Sequence, residues 1–163
     1  MELKPLKFPY QQDHGYIKEI QKAGCAFLCY SFVLIQELGP EDFPVVYPET
    51  LNKFFEFAVS KGFVHSSGFV ADPTRMLQVY LKKPCSVRHE SPGYKPQETE
   101  EFREYELLDW RAPKRDGSGD WQHFTVGDGT GKTFVDVWRG GSGVLKMPGV
   151  RLLKKNIIRV SKK

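Results

Sequence analysis

Residues 25–35, Cys25-Ala-Phe-Leu-Cys-Tyr-Ser-Phe-Val-Leu-Ile, carry no charge. A helix built on them is apolar on every side, and such a helix must be covered all round by the rest of the molecule. The pattern predicts a central helix over residues 23 to about 38, stopped by Gly39 in the C′ role and by Pro40, which cannot continue it. Two further helices supply cover. One follows Pro48-Glu49, with Leu51, Phe54, Phe55 and Ala58 on one face and Gly62 at its close. The other opens at Asp72-Pro73, a capping acid followed by proline at the first helical position. Its stripe is Met76, Leu77, Tyr80 and Leu81, and it is expected to end before Pro84.

The second half of the chain reads differently. Residues 86–100 are polar and contain Pro92, Gly93 and Pro96, the composition of a loop. Residues 101–110 place Phe102, Tyr105, Leu107 and Trp110 among charges, as in a partly exposed strand. After a turn over 112–120, residues 121–126 and 132–138 flank Gly127-Asp-Gly-Thr-Gly131, which predicts a hairpin. Residues 139–143 form another loop, and 151–160 fit either a last strand or a helix. Helices first and an antiparallel sheet second is an α+β order. A length of 163 residues suits one domain over 1–163.

Composition narrows the function classes. The net charge of +4 is too small to argue for a nucleic-acid partner. Three cysteines are an odd number, which favours free thiols in a reducing compartment over a disulfide framework. Met1-Glu-Leu-Lys-Pro-Leu-Lys7 lacks the apolar core of a signal peptide, and the longest apolar run is shorter than the roughly 18 residues of a membrane span. A soluble, cytoplasmic protein without a membrane segment is the expectation.

Cys25 stands just past Gly24, at the head of the apolar helix, where unpaired N–H groups and the helix dipole favour a thiolate. Cys29 is a turn deeper. A thiol nucleophile also needs an imidazole as general base and a third group to orient the ring. His123 and Asp136 lie on the two arms of the predicted hairpin, with Asp128 in its turn as a rival orienter. Whether His123 and Asp136 meet depends on a register that the sequence leaves open.

The segment from Gln21 to Glu37 resembles the opening of papain-like cysteine peptidases. It is most similar to the bacterial branch related to the peptidases that process double-glycine leaders of bacteriocins. Gln, Cys at the start of a buried helix, His-Phe on a strand and Asp on the next strand correspond to Gln21, Cys25, His123 and Asp136. The helical stretch with Asp72-Pro-Thr-Arg-Met-Leu-Gln-Val-Tyr-Leu81 is similar to the paired helices of that group. The resemblance implies a papain-like fold and a thiol hydrolase that needs no cofactor or metal. Its substrate would be a peptide, a protein or a peptidoglycan stem, with Gln21 and the Cys25 N–H as the oxyanion hole. Trp121 and Trp138 would wall the cleft. Two departures, Ala26 where many relatives have glycine and the short gap Lys22-Ala23-Gly24, feed the alternative of an inactive papain-like binding protein.

Other signals carry less. Gly127-Asp-Gly-Thr-Gly-Lys-Thr133 lacks the first glycine of a phosphate loop, because that position is Val126. Cys25, Cys29, Cys85 and His89 have loose spacings for zinc, and the first pair falls inside the apolar helix. The basic tail from Arg151 reads as solvated charge, and His65 as a loop residue beside the cleft.

Overall fold

A computed structural model describes residues 3–4, 10–39, 48–141 and 143–163. Most of the amino-terminal stretch read for a leader, Pro40 and Ser142 lie outside the described residues. The helices are α1 (Lys18–Ala23), α2 (Cys25–Leu38), α3 (Pro48–Ser60) and α4 (Pro73–Gln78). The strands are β1 (Cys85–Glu90), β2 (Phe102–Pro113), β3 (Asp120–Gly127), β4 (Thr133–Val135) and β5 (Arg151–Ser161), with a 3-10 turn at Gly143–Lys146. The five strands form one antiparallel sheet in the order β1-β5-β2-β3-β4, so the molecule is mixed helix and sheet. Among the described residues no helix is long and apolar enough to cross a membrane.

The uncharged run is α2, and every residue from Ala26 to Ile35 is buried. Phe27 packs on Phe54 and Phe55 of α3 at centroid distances of 5.3 and 5.1 Å, and Phe32 meets Phe134 of β4 at 6.2 Å. Buried polar groups need partners, and those of this helix have them. Ser31 Oγ donates to the Phe27 carbonyl (2.9 Å), Asn156 of β5 donates to Tyr30 Oη (3.1 Å), and Cys29 Sγ donates to the Phe124 carbonyl (3.5 Å). Gly39, at φ 81°, ends α2 as expected.

Several boundaries differ from the sequence reading. The first helix is broken at Gly24, which caps α1 and α2 together. A Cβ on Gly24 would stand 2.6 Å from the Ile20 carbonyl oxygen, so only glycine permits the joint. The helix opened by Asp72-Pro73, α4, ends before Pro84 as expected, but at Gln78, so that Tyr80 and Leu81 of its predicted stripe lie beyond it. Residues 86–90, read as the start of a loop, belong to β1, because Cys85, Val87 and His89 find cross-strand partners in Val160, Ile158 and Asn156. The ambiguous tail is a strand. The second arm of the hairpin shrinks to Thr133–Val135, because Asp136 Oδ1 accepts the Trp138 N–H (2.9 Å) and turns the chain.

The strand read as partly exposed, β2, is interior to the sheet and buried from Glu104 to Asp109. Its charges are matched. Glu104 is paired with Arg88 (2.8 Å) and Arg159 (3.1 Å) and accepts from Tyr94 Oη (2.6 Å). Glu106 is paired with Lys155 (2.8 Å), and its Oε1 accepts the N–H groups of Gly129 (2.9 Å) and Gly131 (3.0 Å). The glycine-rich turn thus cradles a carboxylate from its own sheet.

Removing one partner of a buried ion pair strands the other charge, at a cost of about 3–5 kcal/mol. Glu106→Ala is expected to lose that much stability in urea unfolding. The double variant Glu106→Ala with Lys155→Met should recover part of it. Equal losses in both would show that packing, not charge, is what Glu106 supplies.

Candidate active site

The joint between α1 and α2 makes Cys25 the first residue of the buried helix. Its thiol is half-buried, and its N–H belongs to the first turn, whose amides have no intrahelical acceptor. Gly68 seals one side. Its φ is +90°, and a Cβ there would come within 2.1 Å of the Ala23 carbonyl oxygen, so the 65–70 loop lies directly on the end of α1.

Across the cleft, β3 presents His123, paired in register with Trp110 of β2. His123 Nε2 lies 2.7 Å from Asp136 Oδ1, and the Cys25 thiol is near enough to the imidazole to help raise its pKa. With Nε2 held by the carboxylate, Nδ1 is the nitrogen left for the sulfur. Burial works against a charged imidazole here. The hydrogen bonds and charges of Asp136 and Cys25 outweigh it, and the His123 pKa rises from 6.5 to about 9. Burial pushes Cys29 well up, with Cys25 and Asp136 adding to it, and burial alone raises Cys85.

Cys25, His123 and Asp136 are therefore brought together, Asp136 one residue beyond β4. Gln21 is not brought to them. Its amide donates to the Asp13 carbonyl (2.9 Å), and it is absent from the residues that line the cleft. A glutamine that the sequence reading passed over, Gln11, does line the cleft. It is 3 % exposed and donates from Nε2 to the Gln21 carbonyl (3.1 Å), while its N–H bonds to Val137 O (2.7 Å). Three glutamines precede Cys25, and the choice among Gln11, Gln12 and Gln21 turns on the irregular 10–17 segment, which has no periodicity to read. Asp128, the rival orienter, instead accepts from the backbone and hydroxyl of Thr130 (2.8 and 2.6 Å). His65 stacks on Phe69 and does not line the cleft. No three His, Cys, Asp or Glu side chains among the described residues are grouped to hold a metal ion.

The cleft encloses about 940 Å³. Trp121, Trp138 and the exposed ring of Phe69 stand on its walls, with Tyr30 and Asn156 deeper in.

A family model described as "Protein of unknown function, DUF261" matches residues 6–126. The chain belongs to this family. Gln11, Cys25 and His123 fall within the matched span, and Asp136 follows it. No curated protein and no solved structure matches the chain.

The raised His123 pKa fixes the sign of a pH dependence. A group whose pKa is higher folded than unfolded adds stability that is complete below about pH 6.5 and lost as pH rises through about 9. The stability advantage of the wild type over Asp136→Asn should therefore shrink between pH 6.5 and 9.5 in urea unfolding. An advantage that is flat or grows across that window would contradict the raised pKa. Gly68→Ala, which needs both a strained φ and a Cβ inside the Ala23 carbonyl, should lower Tm by several degrees. Gly62→Ala provides the comparison, since its φ is +75° but no atom lies within 4 Å of the added Cβ.

Proposed function

We propose that this protein is a thiol hydrolase of papain-like architecture that cleaves a peptide or peptide-like amide. The observation that carries the reading is the His123–Asp136 hydrogen bond with the Cys25 thiol beside the same imidazole, in a large cleft lined by Cys25 and His123. Cys25 Sγ attacks the amide carbonyl carbon while its proton passes to His123 Nδ1. The tetrahedral oxyanion is met by the Cys25 N–H at the helix head, with the Gln11 amide as the side-chain donor in place of Gln21. Gln11 Nε2 uses one N–H on Gln21 O and retains a second. The C–N bond breaks as the imidazolium gives its proton to the leaving amine, leaving a thioester on Cys25. Water, deprotonated by His123, then attacks that carbonyl, the acid departs and the thiol is restored. Asp136 holds the ring with Nδ1 toward the sulfur throughout.

An inactive relative that only binds its ligand is the competing reading. It is favoured by the Gln21 amide, which is committed to Asp13 and not to the cleft. Site-resolved alkylation with iodoacetamide at pH 6.5 separates the two. Cys25 is expected to react at least about 10²-fold faster than Cys29 and Cys85, and His123→Ala to lose most of that advantage, as befits removal of a general base. Cys25→Ala should abolish the fast phase, and Cys29→Ala should leave it. Equal rates at all three thiols in the wild type would sink the hydrolase.

A further inference from the structure

The strands that lie under the helices share one sequence habit, and it shapes the floor of the cleft. On the face toward the helices, β2 runs Tyr105, Leu107, Asp109, Arg111, and β5 runs Val160, Ile158, Asn156, Lys154. β1 runs Val87, His89, and β3 runs Val126, Phe124, Gln122. Register aligns these runs in tiers. The apolar tiers lie against α2, and the polar tiers extend past it as the floor beside Cys25.

The charges of the floor and rim do not cancel. Asp109 is fully buried, accepts from Arg111 Nε (2.9 Å) and Gln122 Nε2 (3.1 Å), and is thereby used up. Asp72, the other carboxylate on the lining, caps α4 through the Arg75 N–H (3.1 Å). The ammonium of Lys154, half-buried opposite Asp109, makes no hydrogen bond or ion pair among the described residues, and neither does that of the exposed Lys22 on the α1 rim. Strand alternation puts Lys154 on the same face as Asn156 and Ile158, and the bulge at Leu153 shifts the register only of the residues before it. Burial and the Lys154 charge both push His89 down, so His89 does not add a competing cation near neutrality.

Resting on the hydrolase reading, we propose that the cleft selects a carboxylate-bearing peptide, with the carboxylate seated on Lys154 and framed by Lys22 and the spare N–H donors of Arg111. A half-buried ammonium without a partner is a desolvation cost that an anionic ligand offsets.

Cys25 itself reports the field. Iodoacetate and iodoacetamide form the same S–C bond with loss of iodide, but only iodoacetate carries a carboxylate. The ratio of their Cys25 alkylation rates in Lys154→Met should fall about threefold from the wild-type value, the effect of one charge at several ångströms in a wet cleft. Lys154→Arg should keep the wild-type ratio, and so should Lys53→Met on the far exposed face of α3. An unchanged ratio in Lys154→Met, with iodoacetamide still fast, overturns the anion site and leaves the hydrolase standing. A wild-type Cys25 that is slow with iodoacetamide overturns the hydrolase and this inference together.

Discussion

Everything in this fold is arranged around the need to cover α2 on all sides. Ten consecutive buried residues leave that helix no solvent face, so α3, α4 and the apolar tiers of the sheet must each meet one of its sides. Backbone polar groups inside a helix satisfy one another, but those of its first turn cannot. The head of a fully enclosed helix is therefore the one place where it offers donors outward, and it is where the chain puts Cys25. Gly24 makes this possible by letting α1 run into α2 with no intervening loop. The apolar run that looks like pure core thus fixes the position and the direction of its only half-buried thiol.

The two faces of the sheet solve different problems. One is covered by helices, whose backbone groups are already paired, so its strands supply apolar side chains until the cover runs out. The other lies under loops, and a loop laid over a sheet brings unpaired N–H and C=O groups with it. Glu106 and Lys155 answer that demand. Glu106 takes the Gly129 and Gly131 N–H groups, and Lys155 Nζ donates to the Tyr94 carbonyl (2.8 Å). Buried ion pairs gain little stability over apolar packing by themselves. Here they do what an apolar pair cannot, which is to satisfy the backbone of the covering loops.

This division explains what the sequence disclosed and what it withheld. The central helix, the 48–60 helix and the β3/β4 hairpin each rest on a local period or a local turn, and residues such as Leu51, Phe54 and Gly39 announce them. Cys25, His123 and Asp136 were legible as residue types in a demanding order, although their meeting depends on register. β1 and β2 were misread for a common reason. Arg88, Glu104 and Glu106 look like solvent charges in one dimension, and only their partners across the sheet and in the loops make them interior. Gln11 was missed because a contact between an irregular segment and residues more than a hundred positions away leaves no periodic trace.

That contact binds the parts of the site to one another. Gln11 N–H bonds to Val137 O, while Gln12 accepts the Arg139 N–H (2.9 Å) and donates to the Arg139 carbonyl (3.3 Å). Arg139 also lies over the Tyr10 ring at 5.5 Å. The segment that carries Gln11 is thus clamped to the turn that carries Asp136, and Asp136 in turn fixes His123. Gln11 reaches back to the Gln21 carbonyl on α1, whose far end is the Gly24 joint under Cys25. Cys25, His123, Asp136 and Gln11 come from four stretches of chain, yet each is tied to the next by a hydrogen bond or a shared helix end. A displacement of the 10–16 segment would move two of these groups together, so their relative placement depends on the docking of that segment as much as on the sheet.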